Sequence, residues 1–151
     1  MAEREPYLDD PSVPNDAILW RWVEPFRFHD EAGCPKWADS SVFKASTDGT
    51  PMSVVRASVW LQEGHTPREF LDQWCPPGSA LMQFTASDAR ACQQVVLPDR
   101  EPTAADPPGH TYVQGPNKRK RHLKRYAIWV IPPDGYVPET YPPGHVRRGP
   151  Q

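Results

Sequence analysis

Residues 17–23 read Ala-Ile-Leu-Trp-Arg-Trp-Val, and this aromatic stretch is closed by Pro25. β-Branched and aromatic side chains favour strands, so the stretch predicts the first strand of a sheet. Similar composition predicts further strands along the chain, at residues 41–44, 52–60, 79–85, 94–97 and 110–114. The longest of these, 52–60, is predicted to be a central strand.

The clearest helix start is Thr66-Pro67-Arg68-Glu69. It combines a capping hydroxyl, a proline at the first helical position and a glutamate at the third, which is the pattern of a capping box. The helix would end at the Pro-Pro-Gly of residues 76–78, and its buried stripe would be Phe70, Leu71 and Trp74. A short helix is predicted over residues 86–92. A last helix would begin at Asn117, with apolar positions at helical spacing, namely Leu123, Tyr126, Ala127 and Val130.

Strands and helices follow one another without a regular alternation, which favours an α+β fold. We expect one mostly antiparallel sheet with two or three helices. The 151 residues suffice for one domain. The 20 prolines concentrate near the two ends and in one long loop. The sequence therefore predicts an extended lead-in over 1–15, a globular α+β domain over 16–131 and a proline-rich, extended tail over 132–151.

The charge of the chain is unevenly distributed. Six of the 17 Lys and Arg residues lie between 118 and 125, and without them eleven basic residues face 19 acidic ones, a balance of −8. An acidic body with one basic segment predicts where an anionic partner would bind. The candidate contact residues are Lys118, Arg119, Lys120, Arg121, Lys124 and Arg125. The alternative is that they form the solvent face of an ordinary amphipathic helix.

An acidic protein is the partner that the composition favours. The whole chain carries a formal charge of −2, whereas nucleic-acid-binding domains are usually basic overall. No aromatic residue is interleaved in the basic run before Tyr126, so stacking on single strands is not indicated. Nucleic acid is the weaker alternative, as a non-specific contact with a duplex.

Several signals that the sequence lacks indicate the cellular compartment of the protein. No apolar run of about 18 residues is present, so no membrane span is predicted. The first six residues are acidic and lack the apolar core of a secretory signal. The three cysteines are not closely spaced, which favours reduced thiols in the cytoplasm over a disulfide framework. We therefore expect a cytoplasmic protein.

Known motifs for metal and phosphate chemistry are absent. The five His and three Cys show no zinc-ligand spacing, and there is no glycine-rich phosphate loop and no Gly-x-Ser-x-Gly. The sequence thus predicts no metal site and no cofactor. Candidate catalytic residues are polar side chains in or beside apolar strands, namely Arg21, Ser41 and His110. Arg21 alternates with two tryptophans and would point outward, or else would be a buried cation in need of a partner.

Several short motifs resemble a family of small bacterial proteins without an assigned activity. They are Ile18-Leu-Trp-Arg21, Ser40-Ser-Val-Phe43, Met52-Ser-Val54, the segment 107–113 and the closing Leu123-Lys-Arg125. The chain departs from that family at Pro108, Gly109 and Thr111. The resemblance implies a fold of the same kind and points to Arg21, Ser41 and His110 as the positions of interest.

A more distant likeness is to toxins of the RES type and to the ADP-ribosyltransferase-like fold. That likeness implies that Arg21 would hold a phosphate, Ser41 would orient a sugar and His110 would give polar or acid–base support. The catalytic glutamate of those enzymes has no match, because Glu69 fits a helix cap and Glu101 lies in a proline-rich loop. Two hypotheses result. One is a non-enzymatic bacterial interaction protein that binds an acidic partner through its basic helix, and the other is a nucleotide-using transferase or toxin.

Overall fold

A sheet of mostly antiparallel strands, covered by short helices, forms the domain. The computed structural model describes residues 8–24, 28–29, 37–38, 51–132 and 147–148. The strands are β1 (Ile18–Val23), β2 (Phe28–His29), β3 (Trp37–Ala38), β4 (Met52–Arg56), β5 (Ala80–Thr85), β6 (Val95–Pro98), β7 (His110–Gln114), β8 (Ile128–Ile131) and β9 (Arg147–Arg148). The helices are α1 (Ala57–Gln62), α2 (Pro67–Trp74), α3 (Ala86–Ala91) and α4 (Asn117–Lys120), with a 3-10 turn over Arg121–Arg125. The predicted α+β class is confirmed.

The main sheet has the strand order β6-β7-β4-β1-β5-β8-β9, and β2 pairs with β3 separately. All neighbours in the main sheet are antiparallel except β8 and β9, which are parallel. Trp20 lies opposite Val55, and Val55 lies opposite His110. Residues that lie opposite each other in a ladder point to the same face, so these three side chains share one face of the sheet.

Both faces of the sheet are covered, which makes three layers. On one face Trp20, Val55 and Leu81 pack with apolar side chains of α1 and α2, namely Trp60, Phe70 and Leu71. On the other face Leu19, Val54 and Val113 pack with Ala89 of α3 and with Leu123 of the 3-10 turn. Strands buried on both sides are rich in apolar residues throughout, which is why β1 and β4 show little polar alternation.

The helix predicted from Thr66 is confirmed. The Thr66 hydroxyl accepts from the amide of Glu69 at 3.1 Å, and the Glu69 carboxylate accepts from the amide of Thr66 at 2.9 Å. Thr85 and Asp88 form a second capping box at the start of α3. The strands predicted at 17–23, 79–85, 94–97 and 110–114 are found within a residue or so. The one predicted at 41–44 lies outside the described residues.

The prediction of one long strand over 52–60 is wrong. The strand ends at Arg56, and α1 begins at Ala57. Ala57 and Trp60 are three residues apart and both are buried, so the apolar residues after Arg56 follow helical spacing. The amide of Arg56 donates to the carbonyl of Gly109 at 2.9 Å, which fixes the point where the strand gives way to the helix.

The predicted basic helix is also shorter than expected. α4 covers only Asn117–Lys120, the 3-10 turn follows, and residues 128–131 form β8 instead of a helical turn. Leu123 and Ala127 are buried, as predicted, but Tyr126 is 47% exposed. Residues 128–131 are β-branched or aromatic, and their pairing with β5 outweighs the helical spacing of the apolar residues in this segment.

The described half of the predicted lead-in packs against the domain. Val13 is buried in the core, and Arg90 of α3 donates to the carbonyls of Asp10 and Val13 at 3.0 and 2.9 Å. Arg90 also donates to the side chains of Asp9 and Asn15. Within the predicted tail, the described residues are Pro132 and β9, which pairs with β8.

None of the helices in the described part of the chain has the length and apolar content needed to cross a membrane.

The capping box of α2 gives a first prediction. Replacing Thr66 by Ala removes the oxygen that accepts from the Glu69 amide and should lower the free energy of unfolding by about 1 kcal/mol. The melting temperature should fall by about 2–4 °C. Thr66→Ser keeps the oxygen and serves as the control. Equal melting temperatures for the two variants, measured by circular dichroism, would contradict the assigned cap.

Candidate functional site

His110 is positioned by a tight turn that only glycine accommodates. Gly109 has φ +78°, and a Cβ there would lie 3.0 Å from both the Arg56 carbonyl oxygen and the Val59 Cβ. The turn brings the amide of His110 to the carbonyl of Pro107 at 3.2 Å and starts β7. The His110 side chain is consequently held on the α1/α2 face of the sheet, with only 5% of it exposed.

His110 connects two polar side chains from neighbouring strands. Its Nδ1 lies 2.7 Å from Oδ2 of Asp99, and its Nε2 lies 3.0 Å from Oγ of Ser53. Asp99 directly follows β6, and its amide donates to the His110 carbonyl, so the ladder between β6 and β7 extends to this pair. An ionised carboxylate only accepts hydrogen bonds, so the neutral tautomer that satisfies both contacts carries its proton on Nδ1, and its Nε2 accepts from the Ser53 hydroxyl.

The hydrogen bonds around Asp99 favour its ionised form. Burial acts to raise the pKa of Asp99, but the hydrogen bonds that it accepts from His110 and from the Glu101 amide lower the pKa below its ordinary value. The Glu101 amide binds Oδ1 at 3.0 Å, and the Tyr112 hydroxyl lies 3.5 Å from Oδ2. The carboxylate is therefore charged at neutral pH and fixed in orientation on both of its oxygens.

Arg21 reaches the same serine through the main chain. Its Nη1 donates to the Ser53 carbonyl at 2.9 Å, and its guanidinium lies 5.5 Å from the centre of the Trp22 ring. The side chain is buried, so the expectation that it points outward is wrong, and the carbonyl supplies a partner that a buried cation needs. Of the three predicted catalytic residues, the structure thus brings Arg21 and His110 together on Ser53. Ser41 lies outside the described residues.

Two functional candidates, Ser53 and Asp99, were missed in the sequence. Ser53 belongs to the quoted Met-Ser-Val motif, and its hydroxyl is the one polar group in an otherwise apolar run. That contrast was the available signal. Asp99 follows the strand 94–97 in a proline-rich loop and gave no signal of its own.

A second carboxylate faces the same ring nitrogen. Oδ1 of Asp106 lies 3.7 Å from Nδ1 of His110, and its Oδ2 accepts from the amide of Thr103 at 2.8 Å. One ligand atom each from Asp99, Asp106 and His110 lie within 4.8 Å of one another. A nitrogen and two carboxylate oxygens at this separation could hold a metal ion.

Two adjoining cavities meet at His110. The larger, of about 440 Å³, has a mainly apolar lining that includes several prolines, together with the charged residues Arg56, Asp99 and Asp106. The smaller, of about 150 Å³, is lined by Ser53 and by the aromatic residues Trp22, Phe70 and Trp74. Trp74, Asp106, Pro107 and His110 line both. Ligands can therefore approach the serine–histidine pair from two sides, one of which is lined by aromatic side chains.

The basic segment lies on the other face of the sheet. Leu123 anchors it in the cluster that contains α3, away from His110. Lys118, Arg119 and Arg125 are exposed, whereas Lys120 is fully buried and cannot contribute to a contact surface, contrary to the prediction. The side chains of Arg121 and Lys124 lie outside the described part of the chain. A cavity of about 210 Å³ opens here, lined by Cys92, Arg119, His122, Arg125 and Tyr126.

The two described cysteines are free and lack the character of nucleophiles. Burial, with a smaller contribution from the charge of Glu24, raises the pKa of Cys75 to about 12. Burial also raises the pKa of Cys92, and nearby Asp88 adds to the shift. A thiol reacts as its thiolate, so both side chains are unreactive at neutral pH. Cys34 lies outside the described residues.

No protein-family model, curated protein or solved structure matches this chain. The argument about function therefore depends on the geometry described above.

The turn before His110 gives a second prediction. Gly109→Ala adds a Cβ to a residue with positive φ, which costs about 1 kcal/mol by itself, and places it against Val59 and a carbonyl oxygen. Gly64→Ala is the matched control, because Gly64 has φ +85° but nothing within 4 Å of the added atom. We expect Gly109→Ala to lower the free energy of unfolding, measured with urea, at least about 1 kcal/mol more than the control does. Equal losses would show that the turn has room for a side chain.

Proposed function

We propose that this protein is a hydrolase in which Ser53 is the nucleophile, His110 the general base and Asp99 the residue that orients the imidazole. The observation that carries the proposal is the continuous hydrogen-bonded chain, 2.7 Å from Asp99 to His110 and 3.0 Å from His110 to Ser53. These separations match the mutual geometry that serine hydrolases on unrelated folds share. A nucleophile within reach of a base that is itself held by a third group is the general signature of covalent catalysis.

The geometry supports acyl transfer through a covalent intermediate. Ser53 Oγ attacks the carbonyl carbon of an ester while Nε2 of His110 takes the hydroxyl proton, and the charge of Asp99 stabilises the imidazolium. The tetrahedral intermediate collapses, and the departing alkoxide takes the proton from Nε2, which leaves the acyl group on Ser53. Water, deprotonated by the same nitrogen, then attacks the acyl carbon and releases the acid, and the serine recovers its proton.

The two cavities indicate the size and character of the substrate. The aromatic cavity beside Ser53, of about 150 Å³, has room for a small acyl group. The larger cavity, of about 440 Å³, would take the leaving group. The indole N–H of Trp74, which lines both cavities, is buried without a hydrogen-bond partner among the described residues.

Arg21 has a positioning role in this proposal. It binds the Ser53 carbonyl and lines neither of the two cavities that meet at His110, so a phosphate held by Arg21 finds no support in the geometry. A small ester is for that reason favoured over the nucleotide substrate that the sequence resemblance implied.

Covalent labelling tests the nucleophile directly. We expect a fluorophosphonate probe to add to the full-length chain once, at Ser53, as measured by intact mass and peptide mapping. Ser53→Ala should abolish the adduct and lower kcat/KM for 4-nitrophenyl acetate by several orders of magnitude. Ser87→Ala, which alters an exposed serine of α3, is the control and should behave as the original chain does.

The hydrolase proposal would be contradicted if the Ser53→Ala variant were labelled as much as the original chain. It would also be contradicted if the original chain showed neither labelling nor ester hydrolysis. Asp99→Asn gives an independent measurement, because an amide holds the wrong tautomer of His110 with little change of shape. It should lower kcat by up to about 10⁴-fold while KM changes little.

A second function, binding of an acidic protein partner, is favoured by the exposed basic side chains. Arg119 and Arg125 are exposed beside one cavity, and neither makes an ion pair with another described residue. The rest of the chain is acidic, so an incoming anionic surface would be directed to this segment. This surface lies on the opposite side of the sheet from His110, so the two functions are compatible.

Charge reversal at one arginine tests this second function. Arg119→Glu should reduce capture of an acidic protein from the native lysate at low salt, since it replaces an attractive charge by a repulsive one. Arg68→Glu makes the same charge change at an exposed position of α2 and should leave capture unchanged. Equal capture by both variants would exclude the segment as the contact surface. Capture of nucleic acid alone would exclude a protein partner.

A further inference from the structure

We infer that Asp99, Asp106 and His110 form a binding site for a divalent transition metal of the zinc class, and that the metal switches off the base at His110. The regulatory half of this inference rests on the proposed hydrolase function. The binding half rests on geometry alone.

The separations of the ligand atoms fit a metal of this size. Nδ1 of His110 lies 2.7 Å from Oδ2 of Asp99 and 3.7 Å from Oδ1 of Asp106, and the three atoms lie within 4.8 Å of one another. Zinc binds nitrogen and oxygen at about 2.0–2.2 Å, so ligand atoms at tetrahedral angles are about 3.4 Å apart. The Asp99 oxygen is closer to Nδ1 than this separation and the Asp106 oxygen slightly farther, so both carboxylates would have to adjust on binding the ion.

Each ligand is held in orientation by a group outside the trio. The Glu101 amide binds the other oxygen of Asp99, and the Thr103 amide binds the other oxygen of Asp106. Nε2 of His110 is hydrogen-bonded to Ser53. Outer hydrogen bonds of this kind orient the ligands of known metal sites and set the tautomer of a ligating histidine.

The local charge and the donor set favour a transition metal. The carboxylates of Asp99 and Asp106 both face Nδ1 of His110, which carries one proton. That proton is hydrogen-bonded to Asp99, so it does little to stabilise the negative charge on the nearer oxygen of Asp106. A divalent cation would balance both negative charges. The mixed nitrogen and oxygen set suits zinc better than the all-oxygen preference of magnesium and calcium. All three residues line the cavity of about 440 Å³, which leaves room for water as a fourth ligand.

Metal binding and base catalysis exclude each other at this histidine. A metal on Nδ1 replaces the proton there, and the neutral ring then carries its proton on Nε2. Nε2 can no longer accept the proton of Ser53, so acyl transfer stops. Bound metal would thus act as an inhibitor that competes with a proton for Nδ1.

Binding can be measured without activity. We expect calorimetric titration of the full-length chain with Zn²⁺ at neutral pH to show one site, and Co²⁺ to give the visible absorption of a tetrahedral N/O site. Asp106→Asn keeps the acceptor for Thr103 but removes a charged ligand, and it should weaken binding at least tenfold. Asp99→Asn, a second ligand variant, should weaken it as well. Asp72→Asn, at an exposed position of α2, is the matched control and should bind as the original chain does.

The possible results separate the two proposals. One-to-one binding that depends on Asp106 and Asp99 establishes the site, even if the chain shows no fluorophosphonate labelling, and in that case the hydrolase proposal alone fails. Inhibition of labelling by Zn²⁺ in the original chain, with much less inhibition in Asp106→Asn, supports the regulatory role. Absence of stoichiometric binding, or equal binding by Asp106→Asn and Asp72→Asn when their circular dichroism spectra agree, overturns the metal site.

Discussion

The burial of β4 on both faces is the constraint on which the rest of the structure depends. This strand pairs with β1 on one side and with β7 on the other, and Met52, Val54 and Val55 have almost no exposed surface. An apolar strand in such a position needs covering layers above and below, and α1 with α2 on one side and α3 on the other supply them. A polar side chain in this strand has apolar neighbours on both sides and relies on hydrogen bonds to the adjacent strands, and Ser53 itself is half-buried at the edge of a cavity.

Ser53 is the residue on which this constraint acts. Its hydroxyl is bound by His110 and its carbonyl by Arg21, so two polar side chains from the adjacent strands converge on one residue. Asp99 then holds the imidazole from the end of β6, so the network runs across four neighbouring strands, in the order β6-β7-β4-β1. Where little water is present, consecutive hydrogen bonds in a chain strengthen one another and hold their side chains in fixed positions. That rigidity is what acid–base chemistry requires of its residues, and it suits metal ligation for the same reason.

The sequence predicted the fold class and most elements because those depend on local patterns. The cap at Thr66, the strand around Trp20 and the strand that begins at His110 can each be recognised from a few consecutive residues. The site was only half predicted. Arg21 and His110 were named, but Ser53 and Asp99 become neighbours of His110 only through the order β6-β7-β4, which no local pattern encodes. The basic helix failed for a related reason, because pairing of residues 128–131 with β5 overrides their helical spacing. Burial of Lys120 likewise follows from where the short helix α4 sits.

The strand order also constrains how the chain folds. Among the antiparallel pairs of the main sheet, only β6 and β7 are neighbours along the chain, whereas β1 must pair with β4 and β5, which are made much later. The long loops between paired strands must close, at a cost in chain entropy, before strand pairing can compensate for that cost. A topology of this kind therefore folds slowly. During synthesis the first strand, Ile-Leu-Trp-Arg-Trp-Val, leaves the ribosome long before β5 exists to cover it. The aromatic segment that anchors the finished sheet is thus exposed to aggregation and to chaperones until β4 and β5 have been made.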